Sequence, residues 1–203
     1  MKVGGLVVGG VVAATVGFVL YAAHPQVADT GYSPEQPVPY SHKLHAGQLG
    51  MDCTYCHYTV TKAGFAAVPP TETCMNCHRN VKKDSGKLKL VRDSYATGNP
   101  VEWLKIHKLP DYVYFNHQAH VTSGVSCVSC HGRVDQMVEV RQVEPLNMAW
   151  CIDCHRNPAS RLRPVDQVTN LGWTPDRDPV AIGKEIIAAK KINPPVNCSG
   201  CHR

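Results

Sequence analysis

The chain has 203 residues, 43 % apolar and 18 % charged, which excludes an intrinsically disordered protein. Aromatic residues are only 7 %, thin for a large side-chain core, and the formal charge is +5. Ten cysteines and eleven histidines stand out. Every cysteine lies in one of five Cys-x-x-Cys-His copies, so a disulfide scaffold or a cytosolic zinc protein fits poorly.

In chain order, residues Val3 to Ala23 form a run of 21 without charge. As a helix it would be about 32 Å long at 1.5 Å per residue, close to the roughly 30 Å hydrocarbon thickness of a bilayer. A cleaved signal peptide is the rival reading, but the cleavage positions are poor, with Tyr21 or Leu20 at −3. The expectation is a transmembrane signal anchor over 1–23. Lys2 before the run and no charge until Asp29 favour a cytoplasmic N-terminus. Gly5, Gly9, Ala13 and Gly17 recur every four positions, a small-residue stripe of the kind that lets a second membrane helix approach. Residues 24–39 carry Pro25, Pro34, Pro37 and Pro39 and read as an extended linker.

The five motifs follow. They are Cys53-Thr-Tyr-Cys56-His57, Cys74-Met-Asn-Cys77-His78, Cys127-Val-Ser-Cys130-His131, Cys151-Ile-Asp-Cys154-His155 and Cys198-Ser-Gly-Cys201-His202. This is the attachment signature of c-type haem. Two thiols form thioethers to the two vinyl groups of one porphyrin, and the adjacent imidazole reaches the iron as proximal ligand. One copy has rivals in redox pairs and half zinc sites. Five copies that use every cysteine predict five covalently bound haems. Macrocycles would then supply much of the apolar interior, with roughly 33 residues of chain to wrap each one. The expected fold is a multihaem cytochrome c of short helices and irregular loops. Five ferric haems, each near −1 with its propionates, would bring the holoprotein close to neutral. The basic pI of 8.7 therefore does not call for a nucleic-acid partner, and many Lys and Arg are expected to pair with propionates.

A duplication organises this region. Tyr40-Ser-His42-Lys-Leu-His45 precedes the first motif, and Phe115-Asn-His117-Gln-Ala-His120 precedes the third. His42 lies 11 positions before Cys53, and His117 lies 10 before Cys127. The second and fourth motifs both continue as Arg-Asn. Two-haem modules are expected over 40–98 and 99–160, and a C-terminal segment, 161–203, carries the fifth motif. At i and i+3 two imidazoles share one face of a helical turn, so His42, His45, His117 and His120 are candidate distal ligands. His107 is the candidate for the fifth, with Met148 as its rival, since a thioether would raise that haem's potential. His24 is left at the membrane boundary. This count favours all-bis-histidine ligation and argues against an enzyme with an open haem, so no catalytic residue is assigned.

The stretches 40–47, 69–78, 103–117, 132–137, 144–158 and 192–195 resemble the pentahaem cytochrome c subunits of bacterial alternative complex III. The resemblance covers nearly all of residues 40–203, and the N-terminal run also fits. It implies an electron-transfer subunit, not itself an enzyme, in a quinol-oxidising respiratory or photosynthetic complex at the bacterial inner membrane, with its haem region on the periplasmic side. The implied partners are integral membrane subunits, an iron–sulfur subunit, a monohaem cytochrome c, a periplasmic electron acceptor and the lipid bilayer. The alternative is a stand-alone membrane-anchored multihaem quinol dehydrogenase or electron carrier.

Overall fold

The computed structural model describes residues 2–24 and 29–202, with the side chains of 2–4 and 6 left aside. The linker reading over 24–39 therefore lies partly outside the described residues. The first helix, α1 (Lys2–Ala22), has 21 residues. Among the described residues, no helix is long and apolar enough to cross a membrane. The expected anchor falls partly on side chains outside that set, so the fold itself does not establish it.

Beyond α1 the chain is helices and loops. A π-helix (Lys43–Gln48) is followed by α2 (Cys53–Cys56), α3 (Thr71–His78), α4 (Lys89–Thr97), α5 (His117–Ser123), α6 (Val128–His131), α7 (Met148–Arg156) and α8 (Pro179–Lys190), with single turns of 3₁₀-helix between them. Extended pairing among the described residues is limited to the bridges Val113–His202 and Val125–Leu162.

Short helices need good ends, because few of their backbone groups pair internally. Asp52 caps α2 by accepting from Thr54 N at 2.8 Å, and the Thr169 hydroxyl donates to its other oxygen at 2.7 Å. Asn116 caps α5 through Ala119 N, and Asn147 caps α7 through Trp150 N. Asp178 caps α8, with Pro179 at its first position. Two of the five attachment motifs, the first on α2 and the fourth on α7, thus lie on helices with a side-chain N-cap.

The side-chain core is small. Val38, Met75 and Val91 are buried together, with Cys74, Leu88, Val101 and Trp103 packed around them. Arg79, just after the second motif, lies 5.1 Å over the Tyr95 ring and donates to its hydroxyl, tying α3 to α4. Gly183 lets α8 approach the turn at 158–161, since a Cβ there would land on the Ala159 carbonyl. The accessible surface is 13,428 Å² for 22.2 kDa, about 4,000 Å² more than a compact monomer of that mass exposes.

Candidate haem sites

Three histidine pairs face each other across a gap. His42 and His57 have ring centroids 6.4 Å apart with planes 4° from parallel. His45 and His78 are 6.3 Å apart at 68°, and His120 and His155 are 6.0 Å apart at 39°. Two metal–imidazole bonds of about 2 Å, plus about 1.1 Å from each nitrogen to its ring centre, put two axial imidazoles roughly 6 Å apart. The gaps fit an iron, and hence a porphyrin plane, between each pair.

The ring nitrogens are oriented for the same task. Nδ1 of His45 bonds Ser41 O at 2.9 Å, His57 bonds Ala67 O at 3.3 Å and His78 bonds Val81 O at 2.9 Å. His117 bonds Gly64 O at 3.1 Å, His120 bonds Asn116 O at 2.7 Å, His155 bonds Pro195 O at 2.6 Å and His202 bonds Tyr112 O at 3.3 Å. A carbonyl can only accept, so each ring carries its proton on Nδ1 and leaves the Nε2 lone pair free for a metal. Burial also favours the neutral form of His42, His117, His120 and His131, as metal binding requires. His42 is lowered to about 4 by burial and then by its neighbours His57 and His45. His131 is lowered to about 3, chiefly by burial and then by His107.

Aromatic rings support the distal pairs. Tyr40 stacks on His45 at 4.4 Å and meets His42 edge-on at 4.8 Å. Phe115 repeats this on His120 at 4.4 Å and on His117 at 4.7 Å. The sequence reading assigned these two rings no role, although an aromatic two positions before each His-x-x-His was the available signal.

The motifs lie in a row. The turn bearing His42 and His45 joins the first and second motifs, and Asn76 Nδ2 donates to the Tyr55 hydroxyl at 3.1 Å across the same junction. Cys127 lies close enough to Cys53 to push its thiol up, ahead of burial. Gly64, just after the first motif, accepts from both N and Nδ1 of His117. The first motif therefore adjoins the third. Burial, then the nearby Cys154 and Cys151, raise Cys130 to about 12, which places the fourth motif beside the third. His155 reaches Pro195, three residues before the fifth motif. The spatial order is second, first, third, fourth, fifth.

The remaining candidates lie elsewhere. His107 is against His131, its Nε2 at 3.3 Å from the His131 Nδ1 and the ring centroids 4.4 Å apart. Met148 opens α7 and is 68 % exposed. Tyr112 is the ring neighbour of His202, at 5.6 Å.

Comparison with known proteins agrees with this chemistry. Residues 113–203 match the model of cytochrome c7 and related cytochrome c, and residues 20–109 match that of the class III cytochrome c family. The two parts of the chain are thus similar to multihaem cytochrome c families, a likeness that implies covalently bound c-type haems and agrees with a fold of helices and loops. Over 98 residues it is 38 % identical to the multiheme cytochrome c subunit of menaquinone reductase from Nitratidesulfovibrio vulgaris, which covers 48 % of this chain and 46 % of that protein. The chain thus spans about half the length of the curated relative it matches.

Proposed function

We propose that this chain is a five-haem electron-relay subunit of a quinone-linked membrane complex of the alternative complex III type. The observation that carries the reading is the unbroken row of attachment motifs, with imidazole pairs spaced for iron along it. Bound at each motif, a c-type haem supplies a one-electron iron couple. Cys53 and Cys56, Cys74 and Cys77, Cys127 and Cys130, Cys151 and Cys154, and Cys198 and Cys201 would hold the macrocycles, with the following histidine of each motif as proximal ligand. His42 would serve the first motif, His45 the second, His117 the third and His120 the fourth. The chain's own work is to fix spacing, exclude water from the Nε2 positions and set each ring's donor strength.

Residues 2–22 would anchor the subunit, with the haem region on the periplasmic side. A Cβ placed on Gly5, Gly9 or Gly17 would meet nothing within 4 Å, which leaves that face open to a membrane helix of an integral subunit. An iron–sulfur subunit, a monohaem cytochrome and a periplasmic acceptor complete the proposed assembly. A second reading has electrons run toward quinone rather than away from it. It is favoured by the relative, whose name describes a menaquinone reductase.

The test is purification of the haem-staining species from native membranes in mild detergent, with subunits identified by mass spectrometry. Co-purification with iron–sulfur and polytopic membrane subunits is expected. A chain that runs alone overturns the reading. Adding a quinol to the oxidised complex then separates the two directions, since rapid haem reduction is expected only of a quinol oxidase arm.

A further inference from the structure

Eight histidines of the motifs and His-x-x-His pairs have a defined Nδ1 partner, and for seven it is a backbone carbonyl. The eighth, His131, has a side chain there instead, the Nε2 of His107 at 3.3 Å. Resting on the haem reading above, we propose that His107 is the positioning residue of His131, accepting its Nδ1 proton, and is not an axial ligand.

The geometry excludes both roles at once. With Nε2 of His131 given to iron, its Nδ1 carries the proton, and the bond runs from His131 to His107. The Nε2 lone pair of His107 is then occupied. His107 also lies against the Nδ1 edge of His131, behind the proximal ring, so it cannot face that iron from the opposite side. By the sequence repeat His117 corresponds to His42, which faces His57, so His117 would supply the sixth ligand there.

The loop that carries His107 is held at both ends. Gln36 grips Leu104 twice, its amide donating to the Leu104 carbonyl and its carbonyl accepting from Leu104 N, both at 3.0 Å. Beyond the loop, Val113 bridges to His202 and Tyr114 N donates to Cys201 O at 2.9 Å. A strand of loop pinned on both sides presents one imidazole edge to another with little freedom, as an outer-sphere partner requires.

An imidazole acceptor draws the His131 proton more strongly than an amide carbonyl does. His131 becomes the better donor to iron, and the ferric state gains. The test uses the holoprotein carrying His107→Ala or His107→Gln, with haem content read by intact mass and spin state by low-temperature electron paramagnetic resonance. Both variants should keep five haems and show no new high-spin signal. In His107→Ala, one haem's ferrous-to-ferric ratio at fixed potential should rise about fivefold, the worth of one neutral hydrogen bond. In His107→Gln, whose side-chain carbonyl can still accept, the ratio should return most of the way.

A high-spin haem in both variants would make His107 a ligand and overturn the proposal. Unchanged potentials in both would also overturn it, leaving the contact without effect. Fewer than five haems in the parent protein would instead refute the haem reading on which the proposal rests.

Discussion

The two His-x-x-His modules solve the same problem with different backbones. In the second module, α5 (His117–Ser123) is an ordinary α-helix that ends at Gly124. In the first, the equivalent turn is wound as a π-helix, Lys43–Gln48, with Leu49 N bonded to Leu44 O five residues back. The first module has one residue more between its first histidine and its first cysteine, 11 positions against 10. A π turn absorbs one extra residue without displacing what precedes or follows it. The aromatic ring and both histidines keep their relative places, at 4.4 and 4.8 Å in the first module and 4.4 and 4.7 Å in the second. What the two modules hold nearly constant is the gap at the second histidine, 6.3 Å at His45–His78 and 6.0 Å at His120–His155, although the helix type differs.

The modules part company most at the glycine three positions before each cysteine. Gly50 has φ +66 and open space around it, whereas Gly124 has φ +101 and a Cβ there would strike the Arg163 carbonyl. Gly50→Ala pays only for the left-handed backbone, about 1 kcal/mol. Gly124→Ala adds an overpacking clash and should lose about 3 kcal/mol. In thermal melts of the holoprotein the two should fall by roughly 3 °C and 10 °C. Equal losses would mean that the second module's turn can shift away from 163, and the contrast would dissolve.

Ligand exchange sharpens the comparison from the other side. His45→Met and His120→Met should each raise a single haem's potential by about 100 mV, within the roughly 0.8 V that axial ligands command. The other potentials should stay nearly in place. The two variants should remove different spectroscopic signals. Rings 68° apart at His45–His78 leave two iron d orbitals close in energy and give a strongly anisotropic low-spin signal. Rings 39° apart at His120–His155 split them more and give a more rhombic one. A shift spread over several haems in either variant would break the one-histidine, one-haem assignment.

Much of this site was legible in the residues. The proposed attachment cysteines and proximal histidines, and the duplication, are written in side chains at fixed spacing, and chemistry permits few other uses for them. The π winding was present only as a difference of one between two spacings, which does not say how the backbone takes up the slack. The acceptors on Nδ1 were invisible, because Ser41, Gly64, Ala67 and Pro195 act through carbonyls that every residue has. The role of His107 was hidden for another reason. Five spare histidines matched five haems by count, but a count carries no information about which edge of a ring faces which neighbour.

The smallest effect concerns the first histidine of each pair. Nδ1 of His117 donates to Gly64 O, while Nδ1 of His42 is buried without a partner. A donor bonded to a carbonyl pushes more electron density to the metal and favours the ferric state. His42 lacks that push, so the haem of the first motif should be the easier of the two to reduce. One neutral hydrogen bond is worth about 1 kcal/mol, or roughly 40 mV for a one-electron couple. The partner rings add to the difference in the same direction, since His57 donates to a carbonyl and His131 to an imidazole. The near-parallel planes of His42 and His57 should give the most rhombic low-spin signal of the described pairs. That signal can therefore be followed through a redox titration, and it should vanish on reduction before the signal that responds to His107→Ala. If it vanishes later, a water or a propionate satisfies His42 in the loaded protein. The two modules would then be matched in ligand strength as well as in gap.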